Sequence, residues 1–427
     1  MCGIVGYVGD RQAAEFLLDG LSKLEYRGYD SAGIAVYDNG SIRVEKSVGR
    51  LSALRDKIKG NVPVGSIGIG HTRWATHGRP SDVNAHPHVD CHNDFAIVHN
   101  GIIENYLSLK EELIEKGHVF KSETDTEVVV HLLEDVYQGD FVAAVREVLR
   151  RIEGSYALAF MSRKHPDMLV CTKQDNPLII GLGEGENYIA SDIPAIISRT
   201  RRTYIMGDGE LAIVNKNSVE ITDRKGEPVA KKVFEVTWNA EAAEKGGYEH
   251  FMLKEIHEQP KAVRDTMSQR ITSDKKSISF EELSWTPEYL NSFNKIYIVA
   301  CGTAYHAGLV GKYYIEKMAR VIVEVDVASE FRYRDPIVDD KTLLIVVSQS
   351  GETSDTLAAL KESKRRGAKT LAITNVVGSS IAREADQVVY TWAGPEIAVA
   401  STKAYTTQLV LFFMLALYMA EIKGMIA

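Results

Sequence analysis

Cysteine is scarce in this chain, with four residues in 427, at positions 2, 91, 171 and 301. They show neither zinc-finger spacing nor a Cys-x-x-Cys redox pair, so reduced thiols in a cytoplasm are expected rather than a disulfide framework. Clusters of basic charge are missing too. With 58 acidic against 50 basic residues, a formal net charge of −8 and only short Lys/Arg runs, the chain lacks the electrostatic footprint of a nucleic-acid binder. Long apolar runs are absent as well: residues 409–420 form the longest, about a dozen residues where roughly 20 are needed to cross a bilayer, and they read as a buried helix. The first ten residues have no basic segment, apolar core or small-residue cleavage site. Export and membrane anchoring are therefore not expected, and a cytoplasmic location is.

What is present is the composition of a globular protein, 45% hydrophobic and 25% charged, long enough for two or three domains. Up to about residue 215, short strand-like runs such as 65–71 and 95–99 alternate with turns, interrupted by helical patterns at 105–116 and 126–137. This is α+β grammar, with packed sheets and helices. After several charged turns, a polar Ala/Glu/Gly stretch at 239–248 is the best linker candidate, placing a first domain at 1–240. Residues 241–290 read as linker and helical lead-in. From 291 to 427 buried strands at 295–300, 342–347 and 370–374 alternate with helices, which predicts an α/β doubly wound parallel sheet with its ligand site beyond the strands' carboxyl ends.

Cys2 precedes Gly3-Ile4-Val5-Gly6, a context in which Met1 is normally trimmed. The thiol then shares a residue with a free α-amine, whose ordinary pKa of about 7.7 to 8 lets it accept the thiol proton near neutral pH. Taken alone, Cys2 also fits a small buried residue at a strand start. Further along stand Arg73 in His71-Thr72-Arg73-Trp74-Ala75-Thr76-His77-Gly78, Asn100-Gly101 after an apolar run, and Asp125 in Ser122-Glu123-Thr124-Asp125-Thr126. A guanidinium can grip an α-carboxylate through two hydrogen bonds, a carboxylate can hold an ammonium, and an Asn amide with a glycine N–H can stabilise an oxyanion. Each has a plain alternative: Asp125 as a helix N-cap, Asn100-Gly101 as a hairpin turn.

Together with Tyr26-Arg27-Gly28-Tyr29-Asp30-Ser31-Ala32-Gly33, Asn84-Ala85-His86-Pro87-His88 and His99-Asn100-Gly101-Ile102-Ile103-Glu104-Asn105, these motifs resemble the class II, N-terminal-nucleophile glutamine amidotransferases over about residues 2–240. The resemblance implies Cys2 as nucleophile, Asn100 and Gly101 as oxyanion hole, Arg73, Thr76, His77 and Asp125 as glutamine-binding residues, and Trp74 as the residue closing the route by which ammonia leaves. His86, His88 and His92, with Asp90 and Cys91 nearby, have no fixed helical spacing, and the chemistry needs no metal. No metal and no cofactor are expected, and hydrogen bonds within the loop account for the histidines.

In the second half, Ser348-Gln349-Ser350-Gly351-Glu352-Thr353 lies between a strand and the helical pattern at 354–366, and Cys301-Gly302-Thr303 repeats the arrangement one strand away. Hydroxyls at a helix N-terminus favour a phosphate, though a serine-rich turn alone is also a capping motif. With Glu396-Ile397-Ala398-Val399-Ala400-Ser401-Thr402-Lys403, the pattern resembles the sugar isomerase (SIS) domain, a phosphosugar-binding fold. The order of the two halves resembles the isomerizing glutamine:fructose-6-phosphate aminotransferase family, which makes glucosamine 6-phosphate on the route to UDP-N-acetylglucosamine. That resemblance implies Thr303, Ser348, Gln349, Ser350 and Thr353 on the phosphate, Val399 and Ser401 at the sugar, glutamine and fructose 6-phosphate as substrates, and a homodimer. Two departures stand out: Ala304 replaces a serine common in the family, and only one of the family's two tandem SIS domains is present. The chain is therefore expected to be part of a longer enzyme, or a partial protein, retaining the glutaminase step alone. The isomerisation base, ring-opening histidine and Schiff-base lysine belong to the missing part. A phosphosugar sensor with a vestigial amidotransferase domain is the alternative.

Overall fold

The computed structural model of the chain describes residues 2–25, 30–74, 78–236, 248–268, 270–271 and 277–426. The chain divides into two units, Met1–Ala240 and Glu241–Ala427.

The first unit begins β1 (Gly3–Val8), α1 (Ala13–Ser22), β2 (Ser31–Asp38), β3 (Ser41–Val48), α2 (Leu51–Ile58), β4 (Ile67–Arg73), β5 (His88–Val89) and β6 (Phe95–Ile103). Helices α3 (Tyr106–Glu115), α4 (Glu127–Val136) and α5 (Phe141–Arg151) follow. Then come β7 (Gly154–Ser162), β8 (His165–Gln174), β9 (Ile179–Leu182), β10 (Asn187–Ala190), β11 (Arg202–Ile205), β12 (Leu211–Asn215), β13 (Val219–Thr222) and β14 (Phe234–Glu235). Among the described residues these strands make two sheets, ordered β14-β11-β9-β10-β1-β4-β2-β3 and β13-β12-β8-β7-β6-β5.

Period-two alternation explains how the sheets stack. In β1, Ile4 and Val8 point to a core shared with Ala96 and Val98 of β6, whereas Val5 and Tyr7 point the other way, onto α1. In β6, Phe95 and Ile97 face α3, α4 and α5. Both sheets are thus covered on both faces, in the layer order helix, sheet, sheet, helix, which is why nearly every central strand residue is apolar or small.

The second unit contains α6 (Phe251–Ser268), α7 (Pro287–Asn291), β15 (Lys295–Ala300), α8 (Gly302–Met318), β16 (Val323–Val327), α9 (Ala328–Tyr333), β17 (Thr342–Ser348), α10 (Ser354–Arg365), β18 (Lys369–Thr374), α11 (Ser380–Glu384), β19 (Gln387–Tyr390) and α12 (Lys403–Ile422). Its sheet is parallel and ordered β16-β15-β17-β18-β19. Ile296 and Ile298 face α8 and α12, while Tyr297 and Val299 face α9 and α10. Connections turn in opposite directions from β15 and β17, so the crevice between those two strands is the topological switch point of a doubly wound sheet.

The structure refines several sequence expectations. The two helices of the first half are each one residue shorter at either end than the apolar pattern, at Tyr106–Glu115 and Glu127–Val136. The run at 65–71 becomes a strand only from Ile67, because the Gly65 carbonyl accepts from Ala13 N (2.7 Å) and its amide donates to Gln12 Oε1 (3.1 Å), at the start of α1. Asn100-Gly101 is no hairpin turn: both lie inside β6, opposite Ala157 and Tyr156 of β7. The linker expected at 239–248 lies almost entirely outside the described residues. Helix α12, at 20 residues and mean hydropathy 1.4, is long and apolar enough by composition to cross a membrane. However, Leu411, Phe412, Leu415, Ala416 and Met419 are buried in the core beside β15, and Phe412 packs where Gly311 of α8 has no side chain.

Candidate active site

The first constellation forms where β1 begins and β4 ends, beside the second half of β6. Gly3 pairs with Thr72, which brings Cys2 beside the end of β4. There the Trp74 amide donates to Cys2 Sγ at 3.2 Å, and the thiol lies 3.5 Å from the Trp74 carbonyl. From the other sheet Asn100 Nδ2 donates to the Cys2 carbonyl at 3.1 Å. Burial pushes the Cys2 thiol above its ordinary range, a rise that Asp30 adds to and that the Trp74 hydrogen bond and Arg73 oppose. A thiol in this state needs a base to act as a nucleophile near neutral pH.

Gly101 follows with φ +129, a conformation that excludes a side chain, and a Cβ there would meet the Ser155 carbonyl at 2.0 Å. The glycine is therefore required by the backbone that carries Asn100. His71 lies two residues before Arg73 on β4, on the same strand face. Its Nε2 is 2.9 Å from both the His99 carbonyl and Asn100 Oδ1. Two oxygen acceptors oblige Nε2 to carry the hydrogen, and burial lowers the ring's pKa to about 3. A neutral His71 thus holds Asn100 with its oxygen turned away from Cys2 and its amide nitrogen toward it.

Arg73 is 4% exposed and donates through Nη2 to the Gly78 carbonyl at 3.0 Å. Asp125, 3% exposed, accepts from Ile103 N at 2.8 Å, tying the segment before α4 to the end of β6. The cap position of α4 falls to Thr126, so Asp125 is not the N-cap. Thr126 Oγ1 instead meets His99 Nδ1 at 2.8 Å. Trp74 is 44% exposed. Thr76 and His77 lie outside the described residues. The structure thus brings Cys2, Asn100 and Gly101 to one place, and adds His71 and His99, whose motifs were visible in sequence without a role.

The histidine-rich loop splits in two. His86 stacks on His71 with ring centroids 4.2 Å apart and accepts from His99 N through Nδ1 at 3.2 Å. His88 Nε2 meets Thr124 Oγ1 at 3.1 Å. Burial holds both rings well below the usual histidine range, so they are neutral packing and hydrogen-bonding groups. Cys91 and His92 instead face α4.

In the second unit, the loops after β15 and β17 flank the switch point. Ser348 Oγ accepts from Gly351 N and lies 3.0 Å from Thr353 Oγ1, while Ser350 Oγ accepts from Glu352 N at 3.2 Å. Gly351 has φ +67, and a Cβ there would overlap Ser379 Oγ at 2.0 Å. Cys301 and Thr353, at the cap positions of α8 and α10, make no side-chain cap hydrogen bond. Two helix N-termini with nearby hydroxyls can thus receive an anion. Thr303 is exposed, Gln349 and Ser350 are half-buried, and the Gln349 carbonyl accepts from Asn375 N at 3.1 Å. Ala304 is 7% exposed and packs into the apolar cluster around α8, where a serine hydroxyl would have to find a partner. Val399 is 71% exposed and Ser401 Oγ donates to Glu396 Oε2 at 2.8 Å. The segment around them is held by two carboxylates, Glu396 inside the quoted motif and Glu255 on α6. Glu396 accepts from Thr402 N and Ala404 N, and the buried Glu255 accepts from Ile397 N at 2.6 Å.

Comparison with known proteins agrees with this division. Residues 71–198 match the family model "Glutamine amidotransferase domain" and residues 289–418 the model "SIS domain". The class is therefore a glutamine amidotransferase domain joined to a SIS domain. The glutamine–fructose-6-phosphate aminotransferase (isomerizing) of Caldanaerobacter subterraneus subsp. tengcongensis is 62% identical over 424 residues, which cover 99% of this chain and 70% of that protein. A counterpart in Thermus thermophilus is 51% identical over 428 residues, 100% of this chain and 70% of that protein. A solved C-terminal domain of the Francisella tularensis glucosamine-fructose-6-phosphate aminotransferase is 46% identical, with a TM-score of 0.41 over 43% of this chain and 52% of that one. The chain belongs to the glutamine–fructose-6-phosphate aminotransferase (isomerizing) family, and it is an enzyme of the aminotransferase type.

Proposed function

We propose that the chain hydrolyses glutamine to glutamate and ammonia at Cys2, and that its second unit grips the phosphate of fructose 6-phosphate, the sugar named in its relatives. The observation that carries the first part is the contact of Asn100 Nδ2 with the Cys2 carbonyl at 3.1 Å, with Asn100 Oδ1 engaged by His71. One N–H of that amide is used on the main chain, and the second is left for an oxyanion forming on a carbonyl attacked by Cys2 Sγ.

With Met1 removed, the Cys2 α-amine takes the thiol proton, and the thiolate adds to the side-chain carbonyl of glutamine. Asn100 Nδ2 and Gly101 N–H receive the oxyanion. Collapse breaks the C–N bond, and the proton held by the amine leaves with ammonia. Water, deprotonated by the same amine, then cleaves the thioester to glutamate. Arg73 binds the substrate carboxylate and Asp125 its ammonium, with Thr76 and His77 completing the glutamine set and Trp74 closing the ammonia exit.

In the second unit Thr303, Ser348, Gln349, Ser350 and Thr353 surround the phosphate, with Val399 and Ser401 toward the sugar. The switch-point position of these loops supports that reading. In the full reaction ammonia adds to the open-chain ketose and a positioned base moves a proton between C1 and C2, giving glucosamine 6-phosphate. The chain spans about 70% of its relatives' length, and the residues assigned above account for the first step and for phosphate binding. Incubating it with glutamine and fructose 6-phosphate while quantifying glutamate and glucosamine 6-phosphate tests this. Glutamate without amino sugar is expected. Stoichiometric amino sugar would overturn the division, and sugar-phosphate binding without glutamate release would favour a sensor.

A further inference from the structure

Four donor side chains from three separate segments, outside the proposed glutamine site, converge beside α4. Cys91 lies in the turn between β5 and β6, His118 follows α3, and His131 and Glu134 share one face of α4 at i, i+3. Cys91 Sγ is 3.6 Å from His131 Nδ1 and 3.9 Å from His118 Nδ1. Glu134 Oε2 is 2.9 Å from His118 Nδ1 and 3.4 Å from His131 Nδ1. All four donor atoms lie within 4.8 Å of one another. A tetrahedral zinc, with Zn–N and Zn–O near ~2.0 Å and Zn–S near ~2.3 Å, needs ligand-to-ligand edges of roughly 3.3 to 3.5 Å. The observed edges bracket that range.

The surroundings are those of a ligand set. Each histidine turns Nδ1 inward and Nε2 toward a carboxylate: His118 Nε2 is 3.8 Å from Asp135 Oδ1, and His131 Nε2 is 3.6 Å from Glu127 Oε1. Such outer carboxylates orient metal-binding imidazoles. His92 Nδ1 engages the second oxygen of Glu134, which leaves Oε2 as the inward donor, and Val119 N donates to Cys91 Sγ at 3.5 Å. As a plain hydrogen-bond network the arrangement is crowded, because Glu134 Oε2 is also the acceptor for Cys91 N at 3.3 Å. His131 is 1% exposed.

We propose that Cys91, His118, His131 and Glu134 form a closed structural site for a divalent zinc-like cation. On binding, the Cys91 thiol releases its proton to solvent and its sulfur bonds the metal, while the two imidazoles bind as neutral rings. Four protein ligands leave no open position, which marks the site as structural. It would tie the β5–β6 turn and the segment after α3 to α4, whose amino end follows Asp125.

The test uses the full chain carrying Cys2→Ala, which removes the other thiol able to chelate with the terminal amine. After chelator treatment, Co2+ should bind with one equivalent per chain, giving tetrahedral d–d bands and a thiolate-to-cobalt charge-transfer band that Zn2+ abolishes. Cys91→Ser should lose the charge-transfer band, and Asp135→Asn should weaken binding about 10- to 100-fold. Should Cys91→Ser fail to fold, alkylation of the chain without that change decides: Zn2+ should protect Cys91 selectively. Absence of the cobalt bands, their survival in folded Cys91→Ser, or alkylation of Cys91 unaffected by Zn2+ would overturn the proposal.

Discussion

His71 Nε2 lies 2.9 Å from Asn100 Oδ1, and this one contact determines which end of the Asn100 amide meets Cys2. Because His71 is buried and neutral, with its proton on Nε2, the carboxamide oxygen is the only end it can bind. Asn100→Ala should lower kcat for glutamine hydrolysis by about 10²- to 10³-fold, the loss found when one oxyanion donor is removed. His71→Phe should give a smaller loss in kcat with KM nearly unchanged, since it frees the amide to rotate. Steady-state glutaminase assays decide, and wild-type kcat in both variants would remove Asn100 from the reaction.

Arg73→Ala should act on substrate affinity. Truncating one partner of a buried charge pair costs about 2 to 5 kcal/mol, or roughly 30-fold and more in KM. Its Nη2 donates to the neutral Gly78 carbonyl, and circular dichroism should be preserved. Unaltered glutamine KM in this variant would exclude the carboxylate-binding role.

Three buried histidines predict a defined acid weakness of the first unit. His71 has a folded pKa of about 3 against an ordinary 6.5, and His86 and His88 are held in the same direction by burial. Below pH 6.5 the unfolded chain binds protons that the native state refuses. The stability these residues confer is therefore complete above that pH and falls as pH drops toward 3. The slope should be up to ~1.4 kcal/mol per pH unit for each ring. Hydrogen exchange of β6 amides, followed from pH 7 to 5, should show this loss, and His88→Gln should reduce the slope by up to one proton. A flat profile would contradict the assignment of neutral buried rings.

Gly351→Ala should disable the loop after β17. The substitution places an L side chain at φ +67 and a Cβ 2.0 Å from Ser379 Oγ, and the left-handed backbone alone costs roughly 1 to 2 kcal/mol. Fructose 6-phosphate binding by calorimetry should weaken at least tenfold, while glutamine hydrolysis stays unchanged. Equal sugar-phosphate affinity would move the phosphate elsewhere.

Much of this was legible in the chain because the relevant residues sit in short contiguous motifs. Cys2 beside glycines, Arg73 at a strand end and the Ser348–Thr353 loop each pair a reactive group with the local structure that presents it, and local structure follows from periodicity and turn residues. The doubly wound half was readable for the same reason: fully buried parallel strands are continuous apolar runs, as in Thr342–Ser348.

Tertiary structure decided what contiguity could not. Asn100-Gly101 has the residues of a turn, yet β7 pairs through it and keeps it a strand, because a glycine at φ +129 tolerates either setting and the partner strand selects one. Asp125 has the residue type of a helix cap, but its carboxylate accepts from Ile103 N at the end of β6 and Thr126 takes the cap position. His71 becomes the orienting group for Asn100 only when the two sheets stack. Cys91, His118, His131 and Glu134 meet only when α4 packs beside the β5–β6 turn. Sequence by itself determined the chemical groups and the strands, turns and helices that bear them, since these depend on neighbours along the chain. Which groups face one another depends on long-range packing of sheet faces, and that is settled only by burial of the whole core.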